Sequence, residues 1–259
     1  MTPKNMFDLS GKVVMITGGN RWIGRGIALG LAEAGAAVAI LARDEEKNRA
    51  TLKELQALGV PTMARRLELK QRGDLKPAFD EVERRLGPVD ILVNNASFAT
   101  LTGVLETNEE DWDAVLAVNL HAPFLLCKYA AQSMVKRGAG GKIINVTSLA
   151  AFMGSDVFPS YSVTKGGLTQ LTRSLAIELA PHNIQVNALV PGWFTTDMTE
   201  WIRTGPEYEW LLKEMIQRTP RGRFGEPEEL KGAAVFLASS ASDHMTGADL
   251  VIDGGMSIR

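Results

Sequence analysis

The 259-residue chain is poor in the residues that build disulfides and metal centres. It has one cysteine, Cys127, inside the apolar run PFLLCKYA. A lone cysteine makes no internal disulfide, which fits a reducing compartment, the cytoplasm; its apolar neighbours mark it as a core thiol. The three histidines, His121, His182 and His244, lie far apart and away from Cys127, so no metal site is expected. Neither sign of charge dominates: 28 Lys and Arg stand against 30 Asp and Glu. That balance lacks the basic footprint of a nucleic-acid partner. The opening MTPKNMFDLSGK has no apolar signal core, and no run is expected to reach transmembrane length, so no membrane partner is expected. Linkers, low-complexity tracts and repeats are also missing.

What is present is alternation. Residues 12–17 (KVVMIT) form a β-branched run of the kind buried on both faces of a sheet. Similar runs recur at 36–42, 60–67, 89–93, 141–146, 184–189 and 249–252, which makes about seven strands. Helical patterns separate them, including a long one from 109 to about 136 that Pro123 is expected to bend or interrupt. Residues 195–217 read as polar, irregular and tryptophan-rich, a substrate lid without regular structure. Regular alternation predicts an α/β chain: a single-domain, doubly wound (Rossmann-type) parallel sheet over residues 1–259, with helices on both faces. Ligands of such sheets bind at the carboxyl ends of the strands.

The stretch 148–165 carries the chemistry. Tyr161 and Lys165 lie four apart in a helical pattern, so both side chains leave one helix face. A free tyrosine titrates near 10 and is a poor proton donor or acceptor at neutral pH. A neighbouring ammonium favours the phenolate and is expected to lower that value. Tyr161 is then a candidate for proton exchange with an alcohol or carbonyl, and Ser148, at the end of the strand run KIINVTS, could hold the same oxygen.

A second signal lies between the first strand and first helix. Gly18, Gly19, Gly24 and Gly26 allow a tight turn and a close approach of backbone to phosphate at a helix N-terminus. There is no GxxxxGK[ST] lysine, which argues against a nucleoside triphosphate. The second strand ends at Ala42 and Arg43, where an acidic residue would hold the ribose of NAD and an arginine accommodates the extra phosphate of NADP. Arg43 and Arg21 are expected to converge on that phosphate, which favours NADP(H) over NAD(H).

Taken in order, these pieces resemble the short-chain dehydrogenase/reductase family from about Leu9 onwards. The glycine motif is similar at Thr17, Gly18 and Gly24, the NNAG motif at Asn94, Asn95 and Ala96, and the Ser–Tyr–Lys set at Ser148, Tyr161 and Lys165. Asn119, Asn187, Pro191 with Gly192, and the closing Asp253–Gly254–Gly255 match further family positions. The resemblance implies a dinucleotide held by Gly18, Asn20, Arg21, Trp22, Ile23, Gly24, Arg43, Glu68, Leu69, Asn95, Ala96, Tyr161, Lys165, Pro191, Gly192 and Thr196. It implies that Ser148 holds the substrate oxygen, Tyr161 exchanges its proton, Lys165 tunes Tyr161 and holds the nicotinamide ribose, and Asn119 positions a water leading to Lys165. It also implies a small carbonyl or alcohol substrate, of sugar, polyol or 3-oxoacyl type, and a homotetramer. Phe98, Phe152, Met153, Phe158, Trp193 and Phe194 are expected around that substrate.

Three positions depart from the family pattern. Trp22 replaces the middle glycine of the first motif, Ser97 replaces the glycine of NNAG, and Glu68 stands where an aspartate usually holds the adenine. Trp22 either points outward along the first helix or obstructs the cofactor, and a glycine there is expected to cost a little stability. If it obstructs, the alternative is a nucleotide-binding or scaffold protein of the same fold with weakened turnover.

Overall fold

The computed structural model describes residues 5–259. Seven parallel strands form one sheet in the order β3-β2-β1-β4-β5-β6-β7. They are β1 (Val13–Thr17), β2 (Ala37–Ala42), β3 (Thr62–Arg66), β4 (Ile91–Asn94), β5 (Gly141–Val146), β6 (Ile184–Pro191) and β7 (Asp249–Ile252). β1, β2, β4 and β6 are buried along their whole length, which is why β1 and β2 read as near-continuous apolar runs. The polar side chains of Asn94 in β4 and Asn187 in β6 are hydrogen-bonded inside the molecule. The chain leaves β1 towards β2 and β3 on one side and returns to β4 on the other. That reversal opens a crevice between β1 and β4 at their carboxyl ends.

Helices cover both faces, over two large apolar cores, with a small third cluster of Leu149, Ala188 and Val190 among the described residues. One core packs α3 (Arg72–Leu86), α5 (Ala122–Arg137) and α6 (Pro159–Leu179) through Phe79, Leu126, Cys127 and Leu175. The other packs α1 (Trp22–Glu33) and α9 (Lys231–Ala238) through Ile27, Leu31, Ala234 and Leu237. α2 (Glu45–Ala57) starts at Asp44, whose carboxylate accepts from the Lys47 N–H at 3.0 Å. α4 (Glu109–Leu116) starts at Asn108, which accepts from the Asp111 N–H at 2.7 Å. Both helices carry acidic residues in the first turn, where the helix dipole favours them.

Two expectations need correction here. The interruption expected at Pro123 falls just before it and leaves the helix continuous. α4 and α5 run into one another through a π-helical turn, Ala117–His121, in which the Ala122 N–H reaches back to the Ala117 carbonyl. The widened turn takes up Pro123, which has no N–H to give, and it places Asn119 at its centre. The resulting 29-residue helix, Glu109–Arg137, is long and apolar enough to cross a membrane by length and composition, contrary to the reading of the sequence, but half of its most apolar window is buried within the molecule. Residues 195–217 are mostly helical. α7 (Asp197–Thr204) begins at Thr196, whose N–H donates to Thr199 Oγ1 at 3.1 Å, and α8 (Glu209–Arg218) follows. Their polar, tryptophan-rich sequence hid the helices because neither turns a broad apolar face into the core.

Candidate active site

The carboxyl ends of the strands, α7 and α8 enclose a cavity of about 860 Å³. All the residues expected to hold a cofactor line it. Gly18, Asn20, Arg21, Trp22, Ile23 and Gly24 come from the first turn; Arg43, Glu68 and Leu69 follow β2 and β3. Asn95 and Ala96 follow β4, and Pro191, Gly192 and Thr196 lie at and beyond the end of β6. Ser148, Tyr161 and Lys165 form the wall between them.

The first turn is built for close contact. Gly18 has φ of +65°, and a Cβ on Gly24 would lie 2.1 Å from the Gly18 carbonyl oxygen and 2.4 Å from Asn95 Nδ2. Asn95 fastens the turn to β4: its Nδ2 donates to the Thr17 carbonyl at 2.9 Å and its N–H to Thr17 Oγ1 at 3.1 Å. The Asn20 side chain is spent on structure too, donating to the Asp44 carbonyl at 3.2 Å. No side chain caps the N-terminus of α1, and Trp22, Ile23 and Gly24 of its first turn line the cavity. A helix start left without a side-chain acceptor and facing a cavity suits a phosphate anion, so these residues fit the pyrophosphate of a dinucleotide. Trp22 has φ of +46°, one of two non-glycine residues in the left-handed region among those described. The glycine it replaces is therefore the residue that its backbone favours.

The arginines do not converge as the sequence suggested. Arg21 is engaged by Asp197, the first residue of α7, at 2.6 Å across the cavity mouth. Arg43 faces Glu68 at 3.8 Å. The cation neighbouring Arg43 is instead Arg66, because the β2–β3 register sets Ala42 opposite Arg66 and both arginines line the cavity.

The Tyr161 and Lys165 side chains of the wall are buried. The Lys165 ammonium donates to the Val146 carbonyl at 2.8 Å and lies 5.4 Å from the centre of the Tyr161 ring. Burial pushes Lys165 down to about 7. The expected lowering of Tyr161 is reversed in this state: burial raises its phenol above the ordinary value, and the hydroxyls of Ser148 and Ser97 offset that rise in part. Sequence spacing showed the lysine four residues away but not the desolvation, which is the largest influence on Tyr161. Asn119 is buried off the cavity wall. Its Oδ1 accepts from the Phe98 N–H at 3.1 Å and its Nδ2 donates to the Phe98 carbonyl at 2.8 Å, so its side chain fixes the 97–98 loop.

Five of the six expected substrate neighbours line the cavity: Phe98, Met153, Phe158, Trp193 and Phe194. Phe152 does not, and it is half exposed. Sequence reasoning placed residues 195–217 over the site as a lid but named none of the α7 and α8 residues that line the cavity: Trp201, Ile202, Leu211, Glu214, Met215 and Arg218. Their signal was an amphipathic helix taken for irregular chain. Arg66 and Asp197 were also missed, and Ser97 was noticed only as a departure.

A doubly wound sheet whose switch-point cavity carries an uncapped helix start and a Ser–Tyr–Lys wall defines a dinucleotide-dependent oxidoreductase. A family model described as Enoyl-(Acyl carrier protein) reductase matches residues 18–257. The chain is 39% identical to 5-keto-D-gluconate 5-reductase of Escherichia coli (strain K12), covering 97% of this chain and 98% of that one. It is 38% identical to 3-oxoacyl-(acyl-carrier-protein) reductase of Chlamydia pneumoniae, covering 96% and 98%. A crystal structure of a gluconate 5-dehydrogenase from Burkholderia cenocepacia J2315, in complex with NADP and tartrate, superposes with a TM-score of 0.92 at 36% identity, covering 98% of each chain. The chain belongs to the short-chain dehydrogenase/reductase family. It is an oxidoreductase that interconverts a carbonyl and an alcohol with a nicotinamide cofactor.

Proposed function

We propose that the chain acts with NADP(H), in preference to NAD(H), on a small anionic hydroxy or keto substrate of the sugar-acid type. Tyr161 carries this reading: a phenol on the cavity wall, with Ser148 and Lys165 beside it. Ser148 orients the substrate oxygen. Tyr161 gives that oxygen a proton in reduction and takes it back in oxidation. Lys165 keeps its ammonium under the phenol ring and lies ready for the ribose hydroxyls. Asn119 holds the 97–98 loop at the site. The first turn and the α1 start hold the pyrophosphate, Arg43 with Arg66 the 2′-phosphate, Glu68 and Leu69 the adenine side, and Asn95, Ala96, Pro191, Gly192 and Thr196 the nicotinamide side. The bound cofactor supplies or takes up the hydride.

The relatives and the NADP complex support the sugar-acid reading, and so does Arg218 on the α8 wall, an exposed cation that faces Glu214 at 3.5 Å and can exchange that carboxylate for the substrate's. Leu211, Met215 and Trp193 support a second reading, a 3-oxoacyl substrate with an apolar chain. On either reading the chain is one cofactor-binding unit with α7 and α8 as substrate lid, working in the cytoplasm as a homotetramer. A panel of gluconate, ketogluconates, polyols and 3-oxoacyl thioesters with each cofactor tests it. The expected result is turnover of a sugar acid with NADP(H), reduced at least about 10²-fold in Tyr161→Phe with NADPH binding intact. Turnover confined to polyols or neutral ketones, or a Tyr161→Phe variant as active as the parent, would refute it.

A further inference from the structure

Ser97 stands where the family resemblance calls for glycine, and the sheet gives it a particular place. β4 and β5 pair in parallel with Asn94 opposite Asn145, and Asn94 Nδ2 donates to Asn145 Oδ1 at 2.9 Å. Ser97 lies three residues past Asn94 and Ser148 three residues past Asn145. The two serines thus leave neighbouring strand ends at the same step, both half-buried and both on the cavity wall beside Tyr161. The Ser97 loop is held on both sides: Asn119 grips the N–H and carbonyl of Phe98, and Thr17 Oγ1 accepts from the Asn95 and Ala96 N–H groups. The backbone that carries the Ser97 hydroxyl is thus ordered before the hydroxyl bonds, which lowers the entropy cost of that bond.

We propose that Ser97 is a positioning residue for the reaction, a second hydroxyl that donates to the Tyr161 oxygen when the phenol has given up its proton, together with Ser148 in the free enzyme and in its place once the single Ser148 proton turns to the substrate oxygen. The proposal rests on Tyr161 being the proton-exchanging group. A phenol has one proton to give, but its anion accepts from two donors at once, so paired serines favour the anion over the neutral form. The hydrogen-bonding influence of Ser148 and of Ser97 on Tyr161 has that direction. Ser148 keeps a further duty, since its Oγ also accepts from the Ala150 N–H at 3.2 Å. The family's glycine would leave that serine as the sole hydroxyl donor.

The test compares Ser97→Gly, Ser97→Ala and Ser97→Thr with the parent. Ultraviolet titration of tyrosinate, with Tyr161→Phe subtracted, isolates Tyr161 from the other two tyrosines. Its midpoint is expected to rise by roughly half to one pH unit in the glycine and alanine variants and to return towards the parent in threonine. In oxidation of gluconate with NADP, which needs the anion, the rising limb of kcat/KM should move up by the same amount. Rates below the limb should then fall about three- to tenfold, with the dissociation constant for NADPH unchanged. Titration and profile superposing on the parent in all three variants would overturn the proposal while leaving Tyr161 in place. A fully active Tyr161→Phe would overturn Tyr161's role and this proposal together.

Discussion

The two sides of the cavity use charge in opposite ways. At the rim, Arg21, Arg43 and Glu68 sit in solvent or near it, and their ion pairs tie loops together; the Arg21 and Asp197 side chains are 46% and 43% exposed. At the wall, Tyr161 and Lys165 are buried, and their protonation is set by loss of water. Exposed pairs are worth little and are screened by salt. Buried groups shift by several kcal/mol and respond weakly to salt. The rim is therefore suited to recognising a phosphate and the wall to moving a proton.

The largest effect that sharpens this contrast is on stability at the wall. The drop of Lys165 from 10.5 to about 7 corresponds to as much as about 5 kcal/mol of destabilisation. The sign follows from proton counting. Between about pH 7 and 10.5 the unfolded chain holds the lysine proton and the folded chain releases it, so stability rises with pH through that window. The cost is complete below about pH 7. Lys165→Met should accordingly be inactive yet more stable than the parent near pH 6.5, with the advantage shrinking as pH approaches 10. Denaturant unfolding at several pH values without cofactor measures this, and equal stability throughout would mean that burial does not desolvate Lys165.

A smaller effect is expected at the rim. Arg43→Ala should weaken NADPH about tenfold, leave NADH nearly unchanged and flatten the salt dependence of NADPH binding, as expected for one charge-assisted contact. Calorimetry with both cofactors decides it; a parent that prefers NADH would contradict the role given to Arg43.

The smallest effect belongs to Trp22. Its φ of +46° stores about 1 kcal/mol of backbone strain, while its partly buried indole contributes an opposing amount. Trp22→Gly should thus change stability by less than about 1 kcal/mol, and by less of a loss than glycine's entropy alone implies. NADPH should bind more tightly, because the first turn then approaches the phosphate freely. Weaker binding would make the indole part of the site.

What the sequence made legible follows from what each feature depends on. The strands were readable because burial on both faces leaves unbroken runs such as VVMIT and AVAILA. Ser148, Tyr161 and Lys165 were readable because one helix and one strand end fix their spacing. The direction of the Tyr161 shift was not, because desolvation is the work of the whole cavity and not of the neighbour four residues on. α7 and α8 were hidden because their apolar sides face a cavity and not the core, as Leu211 and Met215 do. The pairing of Arg21 with Asp197 spans 176 residues and leaves no local pattern. Ser97 was visible as a departure, but its alignment with Ser148 needed the β4–β5 register.

The central claim, that burial tunes the wall while exposure governs the rim, is tested most directly by observing the lysine side chains. With every lysine labelled at Cε, nuclear magnetic resonance in the absence of cofactor should show one signal titrating near pH 7 that is absent from Lys165→Met. A Lys165 signal that titrates at about 10.4, the value of a free lysine, would contradict the claim.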